Sequence, residues 1–531
     1  MSWGRNCAES SRMSAVSWFR VPANVHRLAR VLLLAGFVWL AGRHWHPHYG
    51  FTRFLQMDAV SATTTLPELR SAPLFTHEFG YDGHYYAQLA ARPAVNDPAL
   101  AGAIDNVGYR ARRILQSWLA WAAGGGDPVA AVRAFAWLNL FWWAVLAALL
   151  WQVFPCRGWR ETLAWAGMLF SAGVLHSVRL ALTDLLALVL VAGAALLAGR
   201  ERRGFAAILL GLGGLARETA LLGAVTLLPP GRGTPVDWRR TAGWFILIAA
   251  PLALWLVYLR TVLGPTDSGL WNFTLPLAGW AAKWGEALQR LREEPDHVLA
   301  LSVLLAHVAL TVQAVYLLWR PRVTDRWWRL GVAYGALMLL LGSAVWAGHP
   351  GAATRVLLPL TLAFNVLAVT ARAAAGWLMA GNLSVLSGVL VLWVVPQSTR
   401  ELAAGRLDGG SYVVHTDERW YPAEHGRTRT WAWSPTGGGL RLDFHPAADG
   451  VRPVRLAVLG LTPRALEIRQ NGQVLWRGEV GEKLRWIELP GMVVVRGRAE
   501  LALHSPGPPG RENAADGGRA LGLAIYGVRF D

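Results

Sequence analysis

A series of continuously apolar windows alternates with polar stretches over the first three quarters of the chain. The windows are 28–43, 129–154, 161–178, 180–199, 204–228, 241–263, 297–319, 330–347, 354–371 and 376–396. Many of them approach the roughly 20 apolar residues that a helix needs to cross a bilayer core of about 30 Å. The pattern predicts a polytopic α-helical membrane protein whose membrane module occupies residues 28–400.

Arginines between the windows predict the topology, because basic loops stay in the cytoplasm. The N-terminal tail 1–27 is arginine-rich and is expected inside. The other inner arginines are Arg157, Arg160, Arg200, Arg202, Arg203, Arg320, Arg322, Arg326 and Arg329. All of these arginines lie on the cytoplasmic side only if window 204–228 enters the membrane and returns to the same side. The glycines of this window and its Arg217-Glu218 pair are typical of a broken helix that faces protein or water. We therefore expect about nine spans, one re-entrant segment and an outer C-terminus.

Two outer loops are long. The first, 45–128, is expected to form short helices, because Asp97-Pro98 and Asp127-Pro128 resemble an N-cap followed by proline. The second, 264–296, predicts an amphipathic helix along the membrane surface with Lys283 off its apolar face. The predicted apolar stripe is Leu277, Trp280, Ala281, Trp284, Leu288 and Leu291.

The pattern changes after residue 400 to short strands separated by turns. Asn471-Gly472 between two strands is a strong signal for a type I′ hairpin. An all-β sandwich is predicted over 410–531, on the periplasmic side. Its candidate strands are 439–444, 453–460, 465–470, 473–478, 484–489, 498–504 and 521–530. An aromatic cluster with two arginines suits either binding of a glycan or packing in the core, and core packing is favoured. The cluster consists of Trp420, Tyr421, Trp431 and Trp433, with Arg427 and Arg429.

Composition agrees with a membrane protein. Of 531 residues, 54% are hydrophobic and 16% charged, which excludes a soluble multidomain protein. The net charge of +17 is spread over short loops, so topology explains it better than nucleic-acid binding. Only Lys283 and Lys483 are lysines, which indicates an arginine-rich genome. Two cysteines predict no disulfide framework.

Polar residues of the first outer loop suggest chemistry on a phosphorylated lipid. The loop contains Gly-Tyr-Asp-Gly-His-Tyr-Tyr at 80–86 and Tyr-Arg-Ala-Arg-Arg at 109–113. Guanidinium groups bind phosphate oxygens in pairs and stabilise charge on a leaving group. Arg110, Arg112 and Arg113 are therefore phosphate-binding candidates. Anchoring to lipid headgroups explains the same cluster equally well.

Charged residues inside the windows are candidates because a charge at membrane depth is expensive unless paired. Arg217 and Glu218 lie near the middle of window 204–228, and Asp184 lies in window 180–199. Either Arg217 and Glu218 pair with each other, or Arg217 pairs with Asp184. Arg355 lies just inside the outer face, and its side chain is expected to contact either the phosphate that the first-loop arginines would bind or the lipid headgroups.

Four short motifs occur in a definite order against the spans. They are Tyr-Asp-Gly-x-x-Tyr at 81–86, Arg-x-Arg-Arg-Ile-Leu at 110–115, Leu-Ala-Arg-Glu-Thr-Ala at 215–220, and Arg355 shortly before Leu-Leu-Pro-Leu. Together they resemble a group of bacterial integral-membrane glycosyltransferases of the GT-C superfold, which includes protein O-mannosyltransferases. The resemblance covers the whole membrane region, and the C-terminal sandwich resembles the accessory domain of such proteins.

That resemblance implies Asp82 as general base, taking the proton of an acceptor hydroxyl while a lipid phosphate leaves from the opposite face of the sugar. The alternative is that Asp82 caps a helix over 83–92. Glu78 and Asp58 are the reserve carboxylates of this loop.

Two neighbours of Asp82 are expected to support it. His84 would orient Asp82, join a metal site with His77 and Glu78, or have only an interfacial role, which is favoured. Tyr85 is expected to pack with Tyr81 and Leu89 along one helix face. No cofactor is required, although a divalent cation is an option.

The resulting hypothesis is a hexosyl- or pentosyltransferase of the bacterial inner membrane. It would transfer a sugar, with inversion, from a polyprenyl-phosphate donor to an extracytoplasmic glycan, lipid or protein. The alternatives are a transporter or flippase of a lipid-linked glycan, which also has broken helices and buried charges, and a non-catalytic assembly scaffold.

Overall fold

The computed structural model describes residues 23–229, 238–265, 267, 269–294, 297–407, 409–426, 429–512 and 518–530. It has a helical N-terminal region and a C-terminal region of antiparallel sheets. The longer helices are α1 (Ala23–Gly42), α7 (Pro128–Val153), α8 (Trp159–Leu169), α10 (Asp184–Gly199), α11 (Arg203–Ala216), α12 (Trp238–Leu263), α13 (Ala278–Glu293), α14 (Val298–Trp319), α15 (Arg326–Leu340) and α18 (Leu358–Thr370). The shorter ones are α2 (Ala59–Thr64), α3 (Gly83–Ala91), α4 (Leu100–Ala103), α5 (Val107–Arg110), α6 (Leu115–Ala123), α9 (Ala172–Arg179), α16 (Ser343–Trp346), α17 (Ala353–Val356), α19 (Ala375–Gly381) and α20 (Val385–Trp393).

Five segments within the described residues are long and apolar enough to cross a membrane. They are Asn24–Gly42, Pro128–Val153, Arg239–Leu263, Val298–Trp319 and Ala375–Trp393. The prediction of a helical membrane region is confirmed at this level. Other predicted windows form shorter or broken helices, such as α8 and α9 in window 161–178 and α17 and α18 in window 354–371.

Window 204–228 forms a helical hairpin. Helix α11 ends at Ala216, and a 3₁₀ helix, Glu218–Leu227, packs back against it in the opposite direction. A Cβ on Gly213 would lie 3.1 Å from the Ala220 Cβ, and one on Gly223 would lie 2.5 Å from Leu210. Glycine permits this close approach because any side chain there would overlap the other arm. Arg217 therefore lies at the tip of the hairpin.

The two ends of the hairpin lie beside the start of α15. The carbonyl of Pro229, at one end, accepts a hydrogen bond from Arg329 Nη1 at 2.9 Å. The C-terminal end of α10, which leads into the hairpin, reaches the same place, since a Cβ on Gly199 would collide with the Arg326 guanidinium. The hairpin therefore begins and ends next to the first turn of α15, whereas the carbonyl of Thr219, near its tip, accepts a hydrogen bond from the Tyr334 hydroxyl at 2.7 Å further along that helix.

The long loop 45–128 is built mainly from the short helices α2 to α6, as predicted. Asp127 caps α7 by accepting a hydrogen bond from the backbone N–H of Ala130 at 2.7 Å, with Pro128 at the first helical position. Asp97 caps only a turn that precedes α4. The loop is held together by Gln88, which is buried and bonds to the backbone of Leu66 and to the carbonyl of Ala103.

Helix α13 packs the face that contains Lys283 against the protein and leaves part of the predicted apolar stripe on the surface. Lys283 is 2% exposed, whereas Leu277 and Leu288 of the predicted stripe are 47% and 43% exposed. The long lysine side chain reaches the carbonyl of Gly348 at 2.8 Å and Glu286 at 3.1 Å. These bonds satisfy the ammonium group, so the helix can bury Lys283 and leave leucines outside.

The C-terminal region consists of two antiparallel sheets around one core. The larger strands are β3 (Glu401–Leu407), β4 (Gly410–Thr416), β6 (Thr430–Ser434), β7 (Gly439–His445), β8 (Gly450–Gly460), β9 (Arg464–Gln470), β10 (Gln473–Val480), β11 (Arg485–Val494), β12 (Arg498–His504) and β15 (Leu523–Arg529). The smaller ones are β5 (Glu424–His425), β13 (Gly510–Arg511) and β14 (Ala520–Leu521), and the last two pair with each other. Two further short strands, β1 (Met57–Asp58) and β2 (Thr76–His77), form a parallel pair in the long loop 45–128. One sheet has the order β10-β9-β12-β7-β4-β3 and the other β11-β8-β15-β6-β5. Alternate residues of both sheets build the core, as a sandwich requires.

Details of this region confirm one prediction and correct another. Asn471 and Gly472 have φ angles of 49° and 82°, as a type I′ turn requires. Trp431 and Trp433 share a strand face, but it is the outer one, because Ala432 faces the core. Only Trp420 of the aromatic cluster is fully buried, and Arg427 lies outside the described residues.

Candidate active site

A polar cavity of about 480 Å³ lies where several helix ends meet. It is surrounded by the N-terminal ends of α3 and α10, the tip of the α11 hairpin, helix α17, and the residues Asp267, Trp271 and Asn272. Its charged lining residues are Asp82, Asp105, Asp184, Asp267, Arg110, Arg113, Arg217 and Arg355. The cavity therefore brings together Asp82 and four of the five predicted phosphate-binding arginines.

The carboxylate of Asp82 faces this cavity and does not cap α3. Asp82 precedes the helix, but its side chain accepts no capping hydrogen bond. It forms an ion pair with Arg110, with 2.9 Å between Oδ2 and Nη1, and is 33% exposed. Gly83 brings the helix start close to the α9–α10 turn, because a Cβ there would lie 2.3 Å from the carbonyl oxygen of Leu180. The capping alternative is thus wrong, and the carboxylate is free to face a ligand.

Arg110 is held by two carboxylates. Its Nε and Nη2 donate to the Asp105 carboxylate at 3.0 and 2.7 Å, while Nη1 contacts Asp82. Burial works to lower the pKa of Arg110, but the hydrogen bonds to Asp105 and the nearby carboxylate of Asp82 outweigh it and raise the pKa. With every edge of the guanidinium engaged, Arg110 positions Asp82 and has little capacity left for a phosphate.

Arg113 joins the outer loop to the tip of the α11 hairpin. Its Nε forms an ion pair with Glu218 Oε2 at 3.1 Å. Its two terminal nitrogens donate to the hydroxyls of Tyr86 at 2.9 Å and Tyr109 at 3.2 Å. Glu218 therefore pairs with the loop and not with its neighbour Arg217, so the first of the two predicted pairings is wrong.

Asp184 is shared by two arginines. Arg217 Nη1 contacts Asp184 Oδ1, and Arg355 Nη1 lies 3.6 Å from Oδ2. Arg355 also donates to the Tyr81 hydroxyl at 2.7 Å, while the Nε of Arg217 is buried with no hydrogen-bond partner in the described part of the chain. Two guanidinium groups therefore share one carboxylate in this part of the cavity, whereas the whole lining contains four aspartates and four arginines.

Some predicted site residues lie outside the cavity lining: His84, Tyr85 and Glu218, and also Arg112, Glu78 and the reserve carboxylate Asp58. Arg112 is half-buried, with its guanidinium 5.9 Å from the centre of the Tyr109 ring. Glu78 is exposed on the loop surface. Asp58, the other reserve carboxylate, caps α2 by accepting a hydrogen bond from the backbone N–H of Ser61 at 2.6 Å.

His84 and Tyr85 support the site from behind. The Nδ1 of His84 is 2.7 Å from the carbonyl oxygen of Tyr81, and burial lowers the pKa of this imidazole. The Tyr85 ring contacts His84 at 3.8 Å between ring centres and lies under the Arg110 guanidinium. Tyr81 does not share this packing as predicted, because it precedes the helix and lines the cavity with its hydroxyl on Arg355.

Several lining residues were not among the predicted ones. Asp105 stands directly before the arginine motif, next to Asn106, whose side chain caps α5 at 2.9 Å. Its proximity to a predicted arginine cluster was a signal in the sequence. Asp267, which accepts a hydrogen bond from the Trp271 indole at 3.0 Å, carried no such signal, because the chain fold alone brings it to the site.

Within the described residues, no three His, Cys, Asp or Glu side chains are placed to hold a metal ion. His77, one of the residues considered for such a site, is 2.8 Å from the carbonyl oxygen of Arg53 through its Nε2. The divalent cation stays a prediction.

Comparison with protein-family models, with curated proteins and with solved structures found no match for this chain.

Proposed function

We propose that this chain is a glycosyltransferase of the GT-C type that uses a polyprenyl-phosphate sugar as donor. The acceptor is a glycan, lipid or protein outside the cytoplasmic membrane. The observation that carries the proposal is the meeting of Asp82 with Arg217 and Arg355 in one cavity. A carboxylate held by Arg110 lines the same cavity as two arginines that share one carboxylate, which suits proton removal and phosphate departure in one step.

In the proposed reaction, an acceptor hydroxyl attacks the anomeric carbon of the donor sugar. Asp82 accepts the hydroxyl proton as the new carbon–oxygen bond forms. The bond between the anomeric carbon and the phosphate oxygen breaks on the opposite face, so the configuration inverts. Polyprenyl phosphate leaves with the bonding electrons, and the glycosylated acceptor is the other product.

The arginines divide into two roles in this proposal. Arg217 and Arg355 receive the phosphate, because the single carboxylate of Asp184 does not neutralise both and the buried Nε of Arg217 has a free donor. Stabilising the charge that develops on a leaving phosphate is a common and large source of rate enhancement. Arg110 orients Asp82, and Arg113 connects Glu218 to the tyrosines that frame the cavity.

A lipid donor is supported by the surface next to the cavity. Trp271 and Asn272 line the cavity, and the same segment exposes Leu270, Phe273 and Leu275 at 70%, 46% and 77%. Exposed apolar residues this concentrated are unfavourable in water but suit the boundary of a membrane. A prenyl chain there would leave its phosphate within reach of the arginines.

The proposed topology has about nine spans, one re-entrant segment and a periplasmic sandwich. The α11 hairpin supports it, because its C-terminal end meets Arg329 in the first turn of α15, and α10, which leads into the hairpin, ends beside Arg326. A segment that enters and returns keeps all the arginine-rich turns on the cytoplasmic side. The cavity then lies at the outer face, where a flipped polyprenyl donor is available.

The test is a deletion strain of the source organism, complemented with the unmodified protein or with Asp82→Asn. Loss of one sugar from the surface glycans, restored only by the unmodified protein, is the expected result. Purified protein in lipid nanodiscs should then release polyprenyl phosphate from a donor carrying that sugar. The Asp82→Asn protein should not.

A flippase or a scaffold gives different results. Proteoliposomes that translocate a fluorescent lipid-linked glycan, without breaking its sugar–phosphate bond, would support a flippase. Full complementation by Asp82→Asn would support a non-catalytic scaffold. Either outcome contradicts the proposed transfer.

A further inference from the structure

A second cavity, of about 230 Å³, lies between the helical region and the sandwich. Its lining from the helical side includes Trp45, His46, His48, Arg133 and Trp137, and its lining from the sandwich is Ser411 and His445. None of these residues belongs to the lining of the larger cavity. The second cavity exists only when the two regions are docked together.

Specific contacts hold the two regions together beside this cavity. His46 Nε2 is 2.9 Å from Glu401 Oε1, and His48 Nδ1 is 3.2 Å from the Ser411 hydroxyl. The Tyr49 hydroxyl is 2.9 Å from His415 Nε2, and its ring packs with Phe75 and Val413 in a small apolar cluster. The walls of the cavity are thus positioned by buried side chains on both sides.

Arg133 is a cation without a close partner. It lies in the second turn of α7 and is half-buried. Within the described part of the chain no hydrogen bond or ion pair engages its guanidinium, and Asp127 attracts it only through space. A partly buried cation of this kind is unfavourable unless a ligand satisfies it.

Two imidazoles extend the polar wall. The rings of His48 and His445 meet edge to face, with 6.5 Å between their centres. His445 lies near enough to Arg133 for the two to interact electrostatically, although they line the cavity from opposite regions. An imidazole can donate a hydrogen bond from a ring N–H, which adds donors to those of the guanidinium.

We propose that this cavity binds the phosphate of an anionic lipid headgroup from the outer leaflet. The phosphate lies on Arg133, with His48 and His445 as further donors. The guanidinium of arginine matches phosphate oxygens in a two-point contact. Trp45 and Trp137, 39% and 52% exposed, face the membrane boundary and pack on the glycerol and upper acyl chain.

A ligand in this position would connect the two regions of the chain. Because Ser411 and His445 come from the sandwich and Arg133 from α7, binding favours the docked state over the undocked one. Neither Asp82 nor any other residue of the proposed transfer site takes part, so the inference is independent of sugar transfer.

The test uses the full chain purified in detergent and titrated in native mass spectrometry. The probes are phosphatidylglycerol, diacylglycerol with the same acyl chains, and inorganic phosphate. We expect phosphatidylglycerol to bind, diacylglycerol not to bind, and Arg133→Gln to weaken the affinity about tenfold or more. If inorganic phosphate competes and depends equally on Arg133, free phosphate is the physiological source of the anion. If it does not compete, the lipid is the source.

The control variant is Arg43→Gln. Arg43 is an exposed arginine at the outer end of α1, where it donates to the carbonyl of Trp393, and generic headgroup attraction would affect it as much as Arg133. Equal loss in both variants, no loss in Arg133→Gln, or equal binding of diacylglycerol would overturn the proposal.

Hydrogen exchange supplies a second measurement that does not need Arg133→Gln to fold. Phosphatidylglycerol should slow the exchange of residues 44–50 and 411–415 in the unmodified protein, and His445→Gln should reduce that protection. An unchanged exchange rate in the presence of saturating lipid would also contradict the proposal.

Discussion

Asp82 and Arg110 form an ion pair at the mouth of the polar cavity, with 2.9 Å between Oδ2 and Nη1. The same guanidinium is bound on its other edge by Asp105. This arrangement keeps the Asp82 carboxylate in a fixed orientation although a third of its side chain is exposed. Orientation of this kind is what a general base requires.

Replacing Asp82 by Asn should lower transfer by roughly 10²–10⁴-fold, because the amide cannot accept the acceptor proton. Folding and membrane insertion should be retained, since Asp82 makes no capping hydrogen bond. The matched control is Glu78→Gln, which changes an exposed carboxylate of the same loop outside the cavity. Turnover of the donor by the purified variants is the measurement. Near-normal transfer by both Asn and Ala variants would show that the base lies elsewhere.

Arginine-to-lysine changes should separate phosphate binding from positioning. Arg217→Lys and Arg355→Lys should each reduce turnover by about 10²-fold and weaken donor binding, because an ammonium group does not reproduce the two-point contact. Arg110→Lys should reduce kcat with little change in the KM for donor, since its role is to hold Asp82.

Arg112→Lys is the control for this series, since Arg112 does not line the cavity. Arg113→Lys should act mainly through the Glu218 and tyrosine contacts. If all five lysine variants turn over the donor like the unmodified protein, headgroup anchoring explains the arginines and the phosphate assignment fails.

Reporter fusions test the topology. A reporter placed after residue 325 should report the cytoplasm, and one placed after residue 410 should report the periplasm. The physical reason is that a hairpin that enters the membrane and returns to its own side does not invert the spans that follow it. A cytoplasmic signal from the second fusion would mean that window 204–228 crosses the membrane.

Docking of the sandwich should weaken in acid. Burial lowers the pKa of His415 to about 4 and of His48 to about 4, so both are neutral in the docked state. Each has a pKa of about 6.5 when exposed. The undocked state therefore binds more protons between about pH 6.5 and pH 4, and docking is fully stable above that window and weaker as the pH falls through it.

The groups that face these imidazoles work in different directions. Burial acts to raise the pKa of Glu401, but the hydrogen bond from His46 outweighs it and lowers the pKa, so this carboxylate adds its own loss of stability only at lower pH. Arg441 and His46 oppose protonation of His415, whereas Glu401 and Asp443 favour it. His46 and His445 oppose protonation of His48.

The docking equilibrium is measured as the protection of residues 44–50 and 411–415 from hydrogen exchange, relative to an unfolded peptide at the same pH, between pH 7 and pH 5. His415→Gln should reduce the pH dependence, whereas His504→Gln, on an exposed position of β12, should not. A protection from exchange that does not change with pH in the unmodified protein would contradict the assignment of neutral buried imidazoles.

Much of the architecture is readable from local pattern. Apolar length predicts the membrane helices, because a bilayer demands a minimum span whatever the neighbours are. The Asn471-Gly472 turn and the alternation of the C-terminal strands are equally local, and the structure confirms both. The glycines and the Arg217-Glu218 pair marked window 204–228 as broken, and the hairpin breaks there.

The partners of the charged residues were decided only by the tertiary structure. Three ion pairs join residues from different elements or from different parts of a loop. They are Asp184 with Arg217, Glu218 with Arg113, and Asp82 with Arg110. Charge and hydropathy show that such residues need partners, but the choice depends on which helix ends converge. Likewise Lys283 is buried and Trp431 is not, because each neighbouring element, and not the periodicity of the segment, determines which face is covered.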